Sequence, residues 1–195
     1  IPNYSVISEL PKEKLKDVSY KDVAKLISEK NIVAIYQGRN ELGKRALGNR
    51  SFLYDPRDPN GRDVLNRLKN REWFRPTAGT VLHNHATKWF DLKSKKETPF
   101  MSYVFKVKNN RVPGITHVDN TCRVQTLNIN ENFHYYNLIN EFYKITDVPV
   151  LLNTSFNFAG EPLVNSVDDA IKTLTDNRYL FKYIYFPEIG KLYCK

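Results

Sequence analysis

Two cysteines, a single methionine and no long hydrophobic run set the first limits on this chain. Cys122 and Cys194 show neither a disulfide framework nor a metal-ligand spacing, which excludes stapled secreted scaffolds and zinc modules. A reducing cytoplasm is the expected compartment, with a pairing of the two thiols as the alternative. No apolar stretch reaches the roughly 18 residues that span a bilayer. The N-terminal IPNYSVISELPKEKLKDVSY also lacks a charged segment followed by a hydrophobic one, so no membrane partner is expected. Internal repeats and low-complexity tracts are missing. So is the Gly-x-x-x-x-Gly-Lys-Ser/Thr spacing of a P-loop. Acid is scarce relative to base: a formal net charge of +9 predicts anionic partners such as nucleotides, phosphates or nucleic acid, without choosing among them.

What is present suits a folded domain, because 195 residues with 41% hydrophobic and 13% aromatic side chains can bury a substantial core. Residue 1 is Ile, so a processed product or a piece of a longer protein is expected. Residues 1–19 read as an irregular segment and 20–195 as one domain. Helical spacing of Val23, Leu26 and Ile27 predicts a first helix in SYKDVAKLISEK, followed by a buried strand over 31–37. SFLYD reads as a strand, and GRDVLNRLKN as a helix with Val64, Leu65 and Leu68 on one face. Further strands are expected at 79–83, 101–107, 122–127, 148–152 and 179–186. ENFHYYNLINEFYKI predicts an amphipathic helix with Phe133, Tyr136, Leu138 and Phe142 partly or wholly inward. Ser166 and Asp169 form a capping pattern before a last helix. This mixture predicts an α/β fold with a twisted mixed sheet.

Four segments carry chemistry. YQGRNELGKRALGNRS gathers Arg39, Lys44, Arg45 and Arg50, with Gly43 and Gly48 permitting backbone amides to approach an anion. A solvated basic loop is the alternative. RLKNREWFRP brings Arg67, Lys69, Arg71 and Arg75 to a helix end, where Pro76 turns the chain; Trp73 and Phe74 are expected in the core rather than as base-stacking platforms. GITHVDNTCRVQTL puts His117 in a turn and Arg123 and Gln125 on one strand face. PVLLNTSFNFAGEP ends a buried strand abruptly in Asn153, Thr154 and Ser155, where open α/β sheets carry their ligand crevice. Two further features are discounted: HNH at 83–85 puts two histidines on a strand face without a third metal ligand, and KSKKE at 93–97 reads as a solvated loop.

In this order, QGRNELGKRALGNRSFLYDPR, NRLKNREWFRP, PFM, THVDNTCRVQTL and VLLNTSFNFAGEPLV resemble the C-terminal, YrdC-like half of the O-carbamoyltransferases, over about residues 20 to 186. That family includes antibiotic-tailoring and nodulation-factor enzymes. The resemblance implies a YrdC-like fold that binds ATP and carbamoyl phosphate and forms carbamoyl-adenylate, with Mg²⁺ carried on the phosphates and no dedicated metal ligands in the protein. It implies Lys69 and Arg75 as the catalytic pair, holding carbamoyl phosphate together with Arg45. Arg45, Arg50, Thr98, Met101, Arg123, Asn153 and Ser155 would contact ATP or the adenylate, with His117 and Thr154 as secondary candidates. It further implies an actin-like N-terminal domain or subunit that passes the carbamoyl group to an acceptor hydroxyl; the residues before the resemblance are too few to form one. Gly43-Lys44-Arg45 stands where many relatives have Gly-Pro-Arg, and Thr77-Ala78-Gly79-Thr80 replaces Phe-Ala-Pro-Ser. From a different class, a nucleic-acid-binding module, or a subunit of a nucleic-acid-modifying enzyme, also fits the charge.

Overall fold

Short apolar runs such as Val33–Tyr36 and Val150–Leu152 supply the central members of one sheet, in which the described residues form ten strands. The computed structural model describes residues 2–41, 43, 45–176 and 178–195, so the expected contribution of Lys44 lies outside the described residues. The strands are β1 Leu15–Asp17, β2 Val33–Tyr36, β3 Arg50–Tyr54, β4 Ala78–Leu82, β5 Phe90–Asp91, β6 Val104–Val107, β7 Thr121–Leu127, β8 Val150–Ser155, β9 Tyr183–Phe186 and β10 Lys191–Cys194. The helices are α1 Tyr20–Ser28, α2 Gly61–Leu68, α3 Ala86–Trp89, α4 Phe133–Thr146 and α5 Val167–Thr175. Sheet order is β1-β10-β9-β2-β3-β8-β4-β7-β6-β5. Two pairs, β2 with β9 and β4 with β7, are parallel and the others antiparallel, so the mixed α/β sheet is as expected.

Every residue of β2, β3 and β4 is buried, which requires cover on both faces. Helices α1 and α4 pack on each other, α1 against β2 and β3, and α4 against β4 and β8. Capping explains where helices begin. The Ser19 and Asp22 pair closes a capping box on α1, and Ser166 with Asp169 does the same for α5. Asn132 caps α4, which ends at Asp147 in the left-handed region.

Several local expectations need correction. His83–His85 form a 3-10 turn after β4 has ended, so the two histidines do not share a strand face. Trp73 and Phe74 are 73% and 62% exposed, because the turn after α2 carries them away from the core. Phe133 is the first residue of α4 and lies outside its buried stripe. The 101–107 run pairs only from Val104, since Met101 has a φ of +52° that no strand accommodates. The 179–186 run pairs only from Tyr183. Within 1–19, read as irregular, Leu15–Asp17 pair with β10 at the sheet edge. Strands β1, β5 and β10 were not anticipated: two to four residues each are too short to show a period. Cys122 and Cys194 are both free, which removes the disulfide alternative. Among the described residues, no helix is long and apolar enough to cross a membrane.

Candidate active site

Strand direction assembles the site. β8 runs antiparallel to its neighbours β3 and β4, and β7 lies parallel to β4, so the end of β8 meets the beginnings of the other three. Register puts Arg123, Ala78 and Asn153 side by side across β7, β4 and β8, with Ser155 opposite Ser51. Directly paired residues share a face. Arg123 and Asn153 therefore reach the same side of the sheet from segments thirty residues apart.

The loop between β2 and β3 is laid over that face and pinned to it. Glu41 Oε1 accepts from the amides of Leu47 (2.8 Å), Asn49 (2.7 Å) and Arg50 (3.3 Å). Gln125 Nε2 donates to Leu47 O (3.1 Å), Asn153 Nδ2 to Ala46 O (3.1 Å) and Gln37 Nε2 to Gly48 O (2.8 Å). Gly48 has a φ of +104°, and a Cβ there would stand 2.2 Å from the Tyr135 ring, so this close approach requires glycine. The loop's wrapping around Glu41 fixes the main chain that carries Arg45.

Two adjoining cavities result. The first, about 380 Å³, is lined by Arg45, Arg71, Arg75 and Arg123 together with Met101, Asn153, Thr154 and Ser155, with no acid in its wall among the described residues. The second, about 590 Å³, is lined by Lys69 and the 157–161 loop, with Glu72 and Glu161 on its wall. Arg71, Arg75 and Ser155 are common to both. Both volumes fall in the range of small-molecule sites.

The cations differ in how they are held. Lys69 is 4% exposed; its Nζ donates to the carbonyl and Oγ of Ser155 and to Asn157 Oδ1, the last two at 3.0 Å. Burial, followed by the charge of Arg71, pushes its pKa down to about 7. Burial and the charge of Arg45 lower Arg123. Burial, then Arg75 and Arg123, bring Arg71 down to about 10. Arg75 is exposed and pairs with Glu72 at 2.6 Å. Asn153 Oδ1, an acceptor, and Arg123 Nε, a donor, are buried without a hydrogen-bond partner among the described residues. Mutually repelling cations and an unpaired guanidinium donor give this cavity a field that favours an anion.

Of the residues singled out from the sequence, Arg45, Lys69, Arg75, Met101, Arg123, Asn153, Thr154 and Ser155 line these cavities. Arg50 does not. Its guanidinium lies 3.6 Å over the Tyr36 ring and donates to the carbonyls of Gln37, Gly38 and Asn49, beside a separate cavity with Arg39 and Asn165. Thr98 is buried behind the site, its amide donating to Thr126 Oγ1 at 2.8 Å and its hydroxyl to Val124 O. His117 binds Thr77 O through Nε2 and lines a further cavity with Phe74 and Val118. Cys122 is buried and its thiol pushed up to about 12, which leaves it unreactive. Glu41, Gln125 and Asn157 were not marked as site residues. Alternation puts Gln125 on the face of Arg123, but its tie to Leu47, like the grip of Glu41 on its own loop and of Asn157 on Lys69, appears only in the fold.

The family described as "Carbamoyltransferase C-terminus" matches residues 24–185. A curated relative, nodulation protein NolNO of Sinorhizobium fredii, is 46% identical over 166 residues, which cover 83% of this chain and 24% of that protein. This chain thus spans about a quarter of that relative's length. Among solved structures, full-length HypF in its phosphate- and nucleotide-bound form is similar with a TM-score of 0.58 at 23% identity, covering 80% of this chain and 23% of that one. Sua5 from P. abyssi is similar with a TM-score of 0.51 at 15% identity, covering 74% of this chain and 42% of that one. These structural neighbours show the fold to be YrdC-like. With the family matched over most of its length, the chain belongs to the carbamoyltransferase C-terminal family.

Proposed function

We propose that this chain is the part of an O-carbamoyltransferase that binds ATP and carbamoyl phosphate and makes carbamoyl-adenylate. The observation that carries the reading is the convergence of Arg45, Arg71, Arg75 and Arg123 on one cavity, with no acid in its wall among the described residues, next to a second cavity holding a buried lysine. Hydrolysis of carbamoyl phosphate yields carbamate and inorganic phosphate. A carbamate oxygen then attacks the α-phosphorus of ATP; the new P–O bond forms as the bond to pyrophosphate breaks. Several negative charges meet in that step, and fixed cations lower their repulsion. Arg45 and Arg123 would face the nucleotide phosphates, with Asn153 and Ser155 at the adenylate. Lys69 and Arg75 would hold the acyl phosphate. Mg²⁺ would enter on phosphate oxygens, beside the arginines that line the wall of the first cavity. Transfer to an acceptor hydroxyl belongs to an actin-like half outside this sequence, in a cytoplasmic enzyme.

Exchange of labelled pyrophosphate into ATP, dependent on carbamoyl phosphate, tests the reading. Absence of both exchange and ATP binding rejects it. One observation favours nucleic acid as a second ligand: Trp73 and Phe74 stand exposed beside Arg75, as a stacking platform next to a cation would. Single-strand binding that weakens steeply with salt, and is lost in Trp73→Ala, would support that role.

A further inference from the structure

The β2–β3 loop leaves the sheet at Gln37 and returns at Asn49, and these two ends meet: Gln37 N donates to Asn49 O at 3.1 Å. One backbone bond is a weak closure for a loop that carries a cation. The rest of the closure comes from Asn132, 83 residues beyond Asn49 in sequence, at the start of α4. Its side-chain amide is used at both ends. Oδ1 accepts from Tyr135 N (3.0 Å), which caps α4, and from Gln37 Nε2 (3.2 Å) where the loop departs; Nδ2 donates to Asn49 Oδ1 (2.9 Å) where it returns.

Both partners are engaged further inside the loop. Gln37 Nε2 also donates to Gly48 O (2.8 Å), and Asn49 Nδ2 donates to Arg39 O (3.0 Å). Gln37 is buried, Asn49 and Asn132 are half-buried, and a group pulled out of this chain of amides would leave its partners unpaired. Asn49 is also where the neck meets the turn that presents Arg45: its main-chain amide is one of the three that Glu41 gathers. Freeing Asn49 from Asn132 therefore loosens an anchor of that turn.

We infer that Asn132 is a positioning residue for Arg45: the side chain that starts α4 also closes the neck of the β2–β3 loop, and so sets where that cation stands at the first cavity. Asn132 itself lines neither of the two adjoining cavities. The inference rests on the carbamoyl-adenylate reading and deepens it, because Arg45 there faces the nucleotide phosphates. Helix start and loop closure are two separate duties of one amide, and substitution can divide them. Serine caps a helix about as well as asparagine but is too short to reach Gln37 and Asn49, whereas alanine does neither.

Calorimetric titration of the full chain with ATP, combined with thermal unfolding, tests the assignment on Asn132→Ala and Asn132→Ser, each alone and in the Arg45→Ala background. Asn132→Ala should lower both Tm and ATP affinity. Asn132→Ser should recover much of the lost Tm while its affinity stays roughly fivefold or more below wild type. In the Arg45→Ala background Asn132→Ser should cost less than about twofold further, because its effect passes through that arginine. Wild-type affinity in Asn132→Ser overturns the inference and leaves the carbamoyl-adenylate reading standing. So does an affinity that simply follows Tm through the alanine, serine and wild-type chains, or a serine penalty equally large with and without Arg45, either of which marks a purely structural asparagine. A wild-type chain that binds no ATP overturns both.

Discussion

Replacing Lys69 with methionine isolates the effect of one buried charge. The side chain is enclosed, and burial with the neighbouring Arg71 takes its pKa from 10.5 to about 7. In the unfolded chain the same group keeps its proton to about pH 10.4. Between about pH 7 and pH 10 the unfolded state therefore binds more protons than the folded one, and stability rises with pH. The destabilisation is complete below about pH 7, where the folded protein buries the charged form. It disappears above the unfolded value, where both states are neutral. At about 1.4 kcal/mol per unit, the full window is worth about 4 to 5 kcal/mol. Lys69→Met keeps the volume and removes the titration. Urea unfolding of both proteins at intervals from about pH 6.5 to 9.5 should show the wild type gaining on the variant by roughly 1 kcal/mol per unit. A difference that stays constant across that range refutes the idea of a lysine stripped of its solvation. The same shift has a functional reading: a phosphate anion restores the charged form, so binding near pH 8 should take up a proton, visible as a calorimetric heat that changes with the buffer's ionisation enthalpy.

Arg123→Ala and Arg45→Ala should each weaken ATP binding by about 1.5 to 3 kcal/mol, the range for hydrogen bonds to charged groups, with Arg50→Lys sparing that affinity; titration calorimetry checks all three. Gly48→Ala sets a Cβ against the Tyr135 ring at a left-handed φ, and should lower stability by about 1 to 3 kcal/mol in urea unfolding, together with ATP affinity. Glu41→Gln weakens the acceptor of three loop amides and should reduce ATP affinity more than it reduces Tm, because its contacts hold the loop that carries Arg45. Cys122 should resist thiol reagents in the native protein up to about pH 9 and react only on unfolding.

Much of the molecule was legible from periodicity. α1 and α4 announce themselves by apolar spacing, and α5 by the Ser166 and Asp169 capping pattern at its start. β2, β3 and β8 do so by the short apolar runs Val33–Tyr36, Phe52–Tyr54 and Val150–Leu152. Composition and local pattern thus determined the mixed α/β class, the basic field and the crevice at the end of β8, since each depends on neighbours within a few residues. Short edge strands escaped, because hydrogen bonding to a distant partner, as between β1 and β10, creates them. The roles of individual arginines escaped for a related reason. Arg45 and Arg50 share one basic motif, yet Arg45 faces the cavities while Arg50 turns back onto Tyr36 and three carbonyls. Trp73 and Phe74 look like core residues by hydrophobicity and are exposed because Asn66 dictates the turn beneath them. Only the folded arrangement decided which cations meet, because strand order and register bring β7, β4 and β8 side by side, and a linear chain does not encode that adjacency in any local spacing.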